Sequence, residues 1–238
     1  MKSSYYKYFA ALLLFGSNGI VASNINLPSY EIVLLRLLLG SLFLITVFTV
    51  SRQRFTFYRN KHTCLYLFIS ASAMGASWML LYEAYQQVGI SIASLAYYCG
   101  PVIVMILSPF LFRETLTWPK IAGFLTVLAG MCLVNLQALD EGKTIWGLFC
   151  GLMSAFMYAL MVTANKKAKP ESGLENSLLQ LVIGSFIVVA FVSMQKNFVL
   201  SLTTIDWIPV LLLGLLNTGI GCYLYFSSIT AVSYTHLR

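Results

Sequence analysis

LLLGSLFLITVFTV, Leu37 to Val50, is apolar on every face of any regular structure it could adopt. A strand of a lipid-facing barrel alternates apolar and polar side chains over ~10 residues, and this stretch does not alternate. Extended back to residue 30, it reaches the length of about 20 residues that a helix needs to cross a hydrocarbon core of ~30 Å. Seven similar runs lie along the chain, at roughly residues 8–24, 64–84, 91–112, 120–137, 145–164, 176–195 and 207–229.

Composition points the same way. Of 238 residues, 59% are hydrophobic and 10% charged, against ~25% charged in an ordinary soluble domain. The expectation is an all-α polytopic membrane protein with eight transmembrane helices, whose connections are too short for a separate soluble domain. The first run follows Lys2 and Lys7 and has Val21-Ala22-Ser23 near its end, which are also marks of a secretory signal. Seven further runs and its own length argue against that reading. Cys64, Cys99, Cys132, Cys150 and Cys222 stand singly, with no CxxC, as small buried hydrophobes do.

Short cytoplasmic loops collect Lys and Arg. With the N-terminus inside, the inner segments hold Lys2, Lys7, Arg52, Arg54, Arg59, Lys61, Arg113, Lys120, Lys166, Lys167, Lys169 and Arg238. The outer ones hold Lys143 and Lys196, and Arg36 completes the fifteen basic residues. The net charge of +7 is therefore an orientation signal and not a surface for nucleic acid, and the N-terminus is expected in the cytoplasm.

A shift of 144 sets MGASWMLLYEAYQQVGIS (Met74 to Ser91) over TGIGCYLYFSSITAVSYT (Thr218 to Thr235), aligning Gly75 with Gly219 and Leu80 with Leu224. The same shift sets PSYEIVLLR (from Pro28) over SGLENSLLQ (from Ser172), aligning Glu31 with Glu175 and Arg36 with Gln180. Two segments agreeing on one register indicate a duplicated unit. Five runs per unit is an odd number, so the second copy enters the membrane with opposite orientation, as in many secondary transporters.

ASLAYYCGPVIVMILSPFLFRETLTWPKIAGFLTVLAGMCLV, Ala93 to Val134, resembles the end of the EamA-type repeat of the drug/metabolite transporter superfamily. The resemblance assigns structural roles to Pro101 in the fourth helix, Glu114 just after it, and Gly123 and Gly130 in the fifth. It implies a five-plus-five inverted-repeat architecture, with residues 1–138 as the first repeat and 139–232 as a second that ends after three helices. Residues 233–238 then read as a non-native tail. It also implies a carrier of small organic metabolites such as amino acids, with nucleotide-sugars or lipid-linked compounds as the alternative cargo. A non-transporting scaffold subunit is the rival from another class.

Charge within a membrane is expensive and faces a cavity or a partner. Arg36 and Glu83 are the clearest cases, and both fall in the outer leaflet. They are read either as a structural ion pair or as an outer-gate or substrate-facing pair. Asn18, between Gly16 and Gly19, marks either helix packing or a break exposing backbone to a ligand. Trp78, Tyr97, Tyr158 and Tyr223 lie deep enough to line an amphipathic cavity, with Asn217 as a further polar contact. Tyr82, Tyr85 and Tyr225, nearer the ends, are expected in the interfacial belt.

No HExxH, Walker loop or GxSxG occurs, and His62 and His236 do not form a metal site. No enzyme activity, cofactor or metal is expected. The expected partners are the lipid bilayer, a small-molecule substrate and, as an oligomer, a homodimer; nucleic acid is not among them. The expected location is the inner (plasma) membrane of a bacterium.

Overall fold

Large hydrophobic side chains cover much of the outside here, and several polar ones are buried within the apolar core. In the computed structural model, which describes residues 2–112, 117–135, 145–194 and 207–235, Phe110, Phe186 and Leu42 are exposed while Arg36, Gln180 and Asn176 are buried. Exposed apolar surface on that scale needs a nonaqueous neighbour. The described residues form helices and no strands. Among them five segments are long and apolar enough to cross a membrane: Tyr30–Val50, Lys61–Phe112, Ile145–Ala168, Gly173–Ser193 and Trp207–Ser228.

The helices are α1 (Lys2–Gly16), α2 (Asn18–Ala22), α3 (Ser29–Val50), α4 (Lys61–Tyr97), α5 (Cys99–Phe112), α6 (Trp118–Asn135), α7 (Ile145–Ala168), α8 (Gly173–Ser193), α9 (Trp207–Leu211) and α10 (Gly221–Thr235). A π-helical turn, Leu212–Ile220, joins α9 to α10. Gly123 and Gly130 sit on α6 and Pro101 on α5; Glu114 lies outside the described residues.

The segment Lys61–Phe112 doubles back on itself. Before Gly89, Thr63 donates to the carbonyl of Ala168, Ser70 to that of Met161 and Ser77 to that of Ser154. One number falls by seven as the other rises by seven, so this limb runs antiparallel to α7 along a seam of small and hydroxyl side chains repeating every heptad. After Gly89 the numbers rise together. A Cβ on Gly151 would lie 2.8 Å from that of Ala96, Gly100 sits against Tyr158, and the Lys166 ammonium lies 4.2 Å from the centre of the Phe112 ring. The reversal is made at Gly89 itself, with φ 81° and ψ 162°, a conformation essentially restricted to glycine.

Two crossings obey the 144 register. A Cβ on Gly40 would lie 2.7 Å from Thr218 Cγ2, and one on Gly184 would lie 3.2 Å from Met74 Cε. Gly184 is 144 beyond Gly40, and Thr218 is 144 beyond Met74. These bare positions let α3 approach the π-helical turn, and α8 approach α4, closely enough for dispersion contacts to hold helices together where lipid offers no hydrophobic drive. Glu31 and Glu175, also 144 apart, are both 3% exposed in the first turns of α3 and α8.

The basic loops gather at one end. Glu175 accepts from the backbone N–H of Phe57 (2.9 Å) and the hydroxyl of Thr56 (2.6 Å), bracing the loop before α4 against the start of α8. Arg59, His62, Lys167 and Lys169 share the wall of one cavity there.

Candidate functional site

Between the helices lies a cavity of about 180 Å³. Its wall draws on α1, α2, α3, α4 and α5 and on α7 and α10. Asn18, Arg36, Trp78, Tyr97 and Tyr158 all face it, and Pro101 does as well.

Arg36 is the only charged side chain in the described wall, and it is 1% exposed. Its Nε donates to Thr218 Oγ1 at 2.9 Å and its Nη1 to the Tyr82 hydroxyl at 2.6 Å. The guanidinium carbon lies 4.1 Å from the centre of the Trp78 ring and 5.2 Å from that of Tyr82, within reach of cation–π attraction. Nη2 is buried and has no hydrogen-bond partner among the described residues.

The expected Arg36–Glu83 pair is not formed. Consecutive helical residues point ~100° apart, so turning Tyr82 toward Arg36 turns Glu83 away, and Glu83 accepts from Gln87 at 3.0 Å instead. Tyr82 and Tyr225 are not belt residues either, being 2% and 4% exposed, while Tyr85 lines the cavity. Tyr223 lies off the cavity, half-buried, with the Lys7 ammonium 5.7 Å from its ring centre.

Asn217 acts on the cavity from behind. Its Nδ2 lies 2.9 Å from Asn18 Oδ1 and 3.0 Å from both Ser17 Oγ and the Leu14 carbonyl oxygen. The first run is broken there, with Ser17 between α1 and α2, and Asn217 meets polar groups on both sides of the break. Asn217 and Thr218, adjacent in the π-helical turn, thus hold the α1 break and Arg36 respectively. The Tyr158 and Tyr225 hydroxyls meet at 2.9 Å across the α7–α10 seam.

Thr218 and Tyr82 carry the geometry around Arg36, and neither stood out as its partner in the sequence. The available signal for Thr218 was the polar pair Asn217-Thr218 inside an apolar run; nothing local marks which tyrosine an arginine 46 residues away will choose.

A second cavity, of about 190 Å³, adjoins the first and shares Tyr85 and Ile90 with it; Ala22, Leu27 and Gln86 complete much of its wall. Ile90 also closes on α2, since a Cβ on Gly19 would lie 2.6 Å from its Cγ2.

The sequence profile of the EamA-like transporter family matches residues 3–136 and 145–237. The chain is 26% identical over 234 residues to the uncharacterized transporter YxxF of Bacillus subtilis (strain 168), covering 95% of this chain and 73% of that protein. It is 27% identical over 130 residues to an uncharacterized transporter in the sor 3'region of Acidianus ambivalens, covering 55% of this chain and 50% of that one. A solved crystal structure superposes with a TM-score of 0.71 over 99% of this chain and 84% of its own, at 18% identity, a likeness of fold alone.

Proposed function

Because this chain belongs to the EamA-like transporter family and is a membrane transporter, we propose that it is a secondary carrier of small organic metabolites, working by alternating access. The observation that carries this reading is the cavity itself. It is walled from both matched stretches, by Asn18, Arg36 and Trp78 from one and by Tyr158, Met161 and Phe226 from the other.

In this reading the two stretches are inverted repeats, divided near residue 138, and the chain crosses the membrane eight times. The reversal at Gly89 and the paired crossings at Gly40 and Gly184 support it. Rocking one repeat on the other opens the cavity to alternate sides. Tyr85 and Ile90, shared with the adjoining cavity, form the outer gate. The end that gathers Arg59, Lys167 and Lys169 faces the cytoplasm of a bacterial inner membrane. An ion or solute gradient supplies the energy.

Uptake of labelled amino acids and organic acids into proteoliposomes, under imposed proton and sodium gradients, tests the carrier reading. Saturable uptake of at least one solute supports it. No uptake above protein-free vesicles for the whole panel contradicts it and leaves a scaffold as the better account.

A further inference from the structure

We infer that Arg36 is the recognition point for a substrate carboxylate, so that the transported class is small organic monoanions with an apolar or aromatic remainder. This rests on the carrier reading above and narrows it.

Three of the arginine's faces are already committed: Nε to Thr218, Nη1 to Tyr82, and the plane of the group to Trp78. These contacts hold the fork rigidly and leave Nη2, with its two N–H groups, over. The described wall contains no Asp or Glu, and Glu83 is engaged with Gln87 on another face of α4. A guanidinium stays ionised in proteins, and a buried charge without a counter-ion is destabilising. A bound carboxylate supplies both the missing charge and an acceptor for Nη2, through a charge-assisted bond roughly twice as strong as a neutral one.

The remaining wall fixes the rest of the ligand. Leu12, Phe15, Met74 and the rings of Tyr97 and Tyr158 offer apolar surface, and Ser94 adds a hydroxyl. One positive charge balances a monocarboxylate. A nucleotide-sugar, with two or more negative charges on its diphosphate, would leave charge uncompensated in the same space, and a primary amine would bring a second cation beside Arg36.

The test is equilibrium binding to the purified chain in nanodiscs, by calorimetry, using 3-phenylpropanoate, its neutral amide and 3-phenylpropylamine. The acid should bind at least ~10-fold tighter than the amide, about 1.4 kcal/mol, and the amine weakest of the three. Arg36→Met should bring the acid-to-amide ratio to about one, and Arg36→Lys should fall between. The wild-type comparison decides the matter even where a variant fails to fold. An amide that binds as tightly as the acid overturns the inference, as does a folded Arg36→Met that keeps the preference. Acid-selective binding without flux in liposomes would instead overturn the carrier reading and leave only the recognition of a carboxylate by Arg36 standing.

Discussion

Arg36 and Thr218, 182 residues apart, are joined by a 2.9 Å hydrogen bond from Nε to Oγ1, and the Thr218 hydroxyl donates its own hydrogen to the Leu213 carbonyl oxygen at 2.7 Å. That donation reaches five residues back, within a π-helical turn of the kind that recurs at functional sites. One hydroxyl therefore fixes a buried cation of the first matched stretch to the backbone of the second. Thr218→Val keeps the shape and removes both bonds, leaving Nε unsatisfied; unfolding in detergent should show a loss of about 1–3 kcal/mol. Thr218→Ser should stay near wild type. A valine variant as stable as wild type contradicts the role.

Gly89 makes the reversal that sends the chain back along α7. Its φ of 81° and ψ of 162° are strained for any residue with a Cβ, by about 1–3 kcal/mol. Gly89→Ala should lower the unfolding midpoint, whereas Gly123→Ala, where among the described residues no neighbouring group lies within 4 Å of the added carbon, should leave it unchanged or raise it. Equal effects at the two positions would mean that the turn does not depend on glycine.

The crossings at Gly40 and Gly184 are equivalent in register but not in tolerance. An added methyl at Gly40 meets Thr218 at 2.7 Å and the Gly214 carbonyl oxygen at 3.3 Å; at Gly184 the nearest atom is the flexible end of Met74 at 3.2 Å. Gly40→Ala should destabilise by about 1–3 kcal/mol through overpacking and disturb Arg36 through its acceptor. Gly184→Ala should be close to neutral, the helical preference for alanine offsetting a small shift. Thermal unfolding of the two variants side by side checks the order.

Orientation is tested by chemistry from one side. A membrane-impermeant thiol reagent added outside intact cells should label a cysteine placed at position 142 and miss one placed at Tyr58, which is exposed beside the basic loop. Labelling at Tyr58 and not at 142 would invert the topology.

The helical runs among the described residues were legible because lipid imposes a length and a composition on each one. The 144 register was read from matches such as Glu31 with Glu175, and the close approaches at Gly40 and Gly184 fall on the same spacing. Arg36 stood out because a charge in an apolar run is rare. Its partners did not, because a choice between Tyr82 and Glu83 is a choice of helix phase, which a 100° rotation decides and no local pattern records. The π-helical turn at Leu212–Ile220 was likewise hidden, since widening a helix by one residue per turn leaves no mark in composition. Tyr82 and Tyr225 were assigned to the interface by their distance from the run centres, but packing around Arg36 and Tyr158 draws them into the core.

Alternating access at the cavity between the two stretches is tested most directly at Ser94, which lines it. With the native cysteines replaced, Ser94→Cys in vesicles of known orientation should react with an impermeant thiol reagent from either side, in separate experiments, and 3-phenylpropanoate should slow both reactions. Reaction from one side only, or rates that the ligand leaves unchanged, would contradict the account.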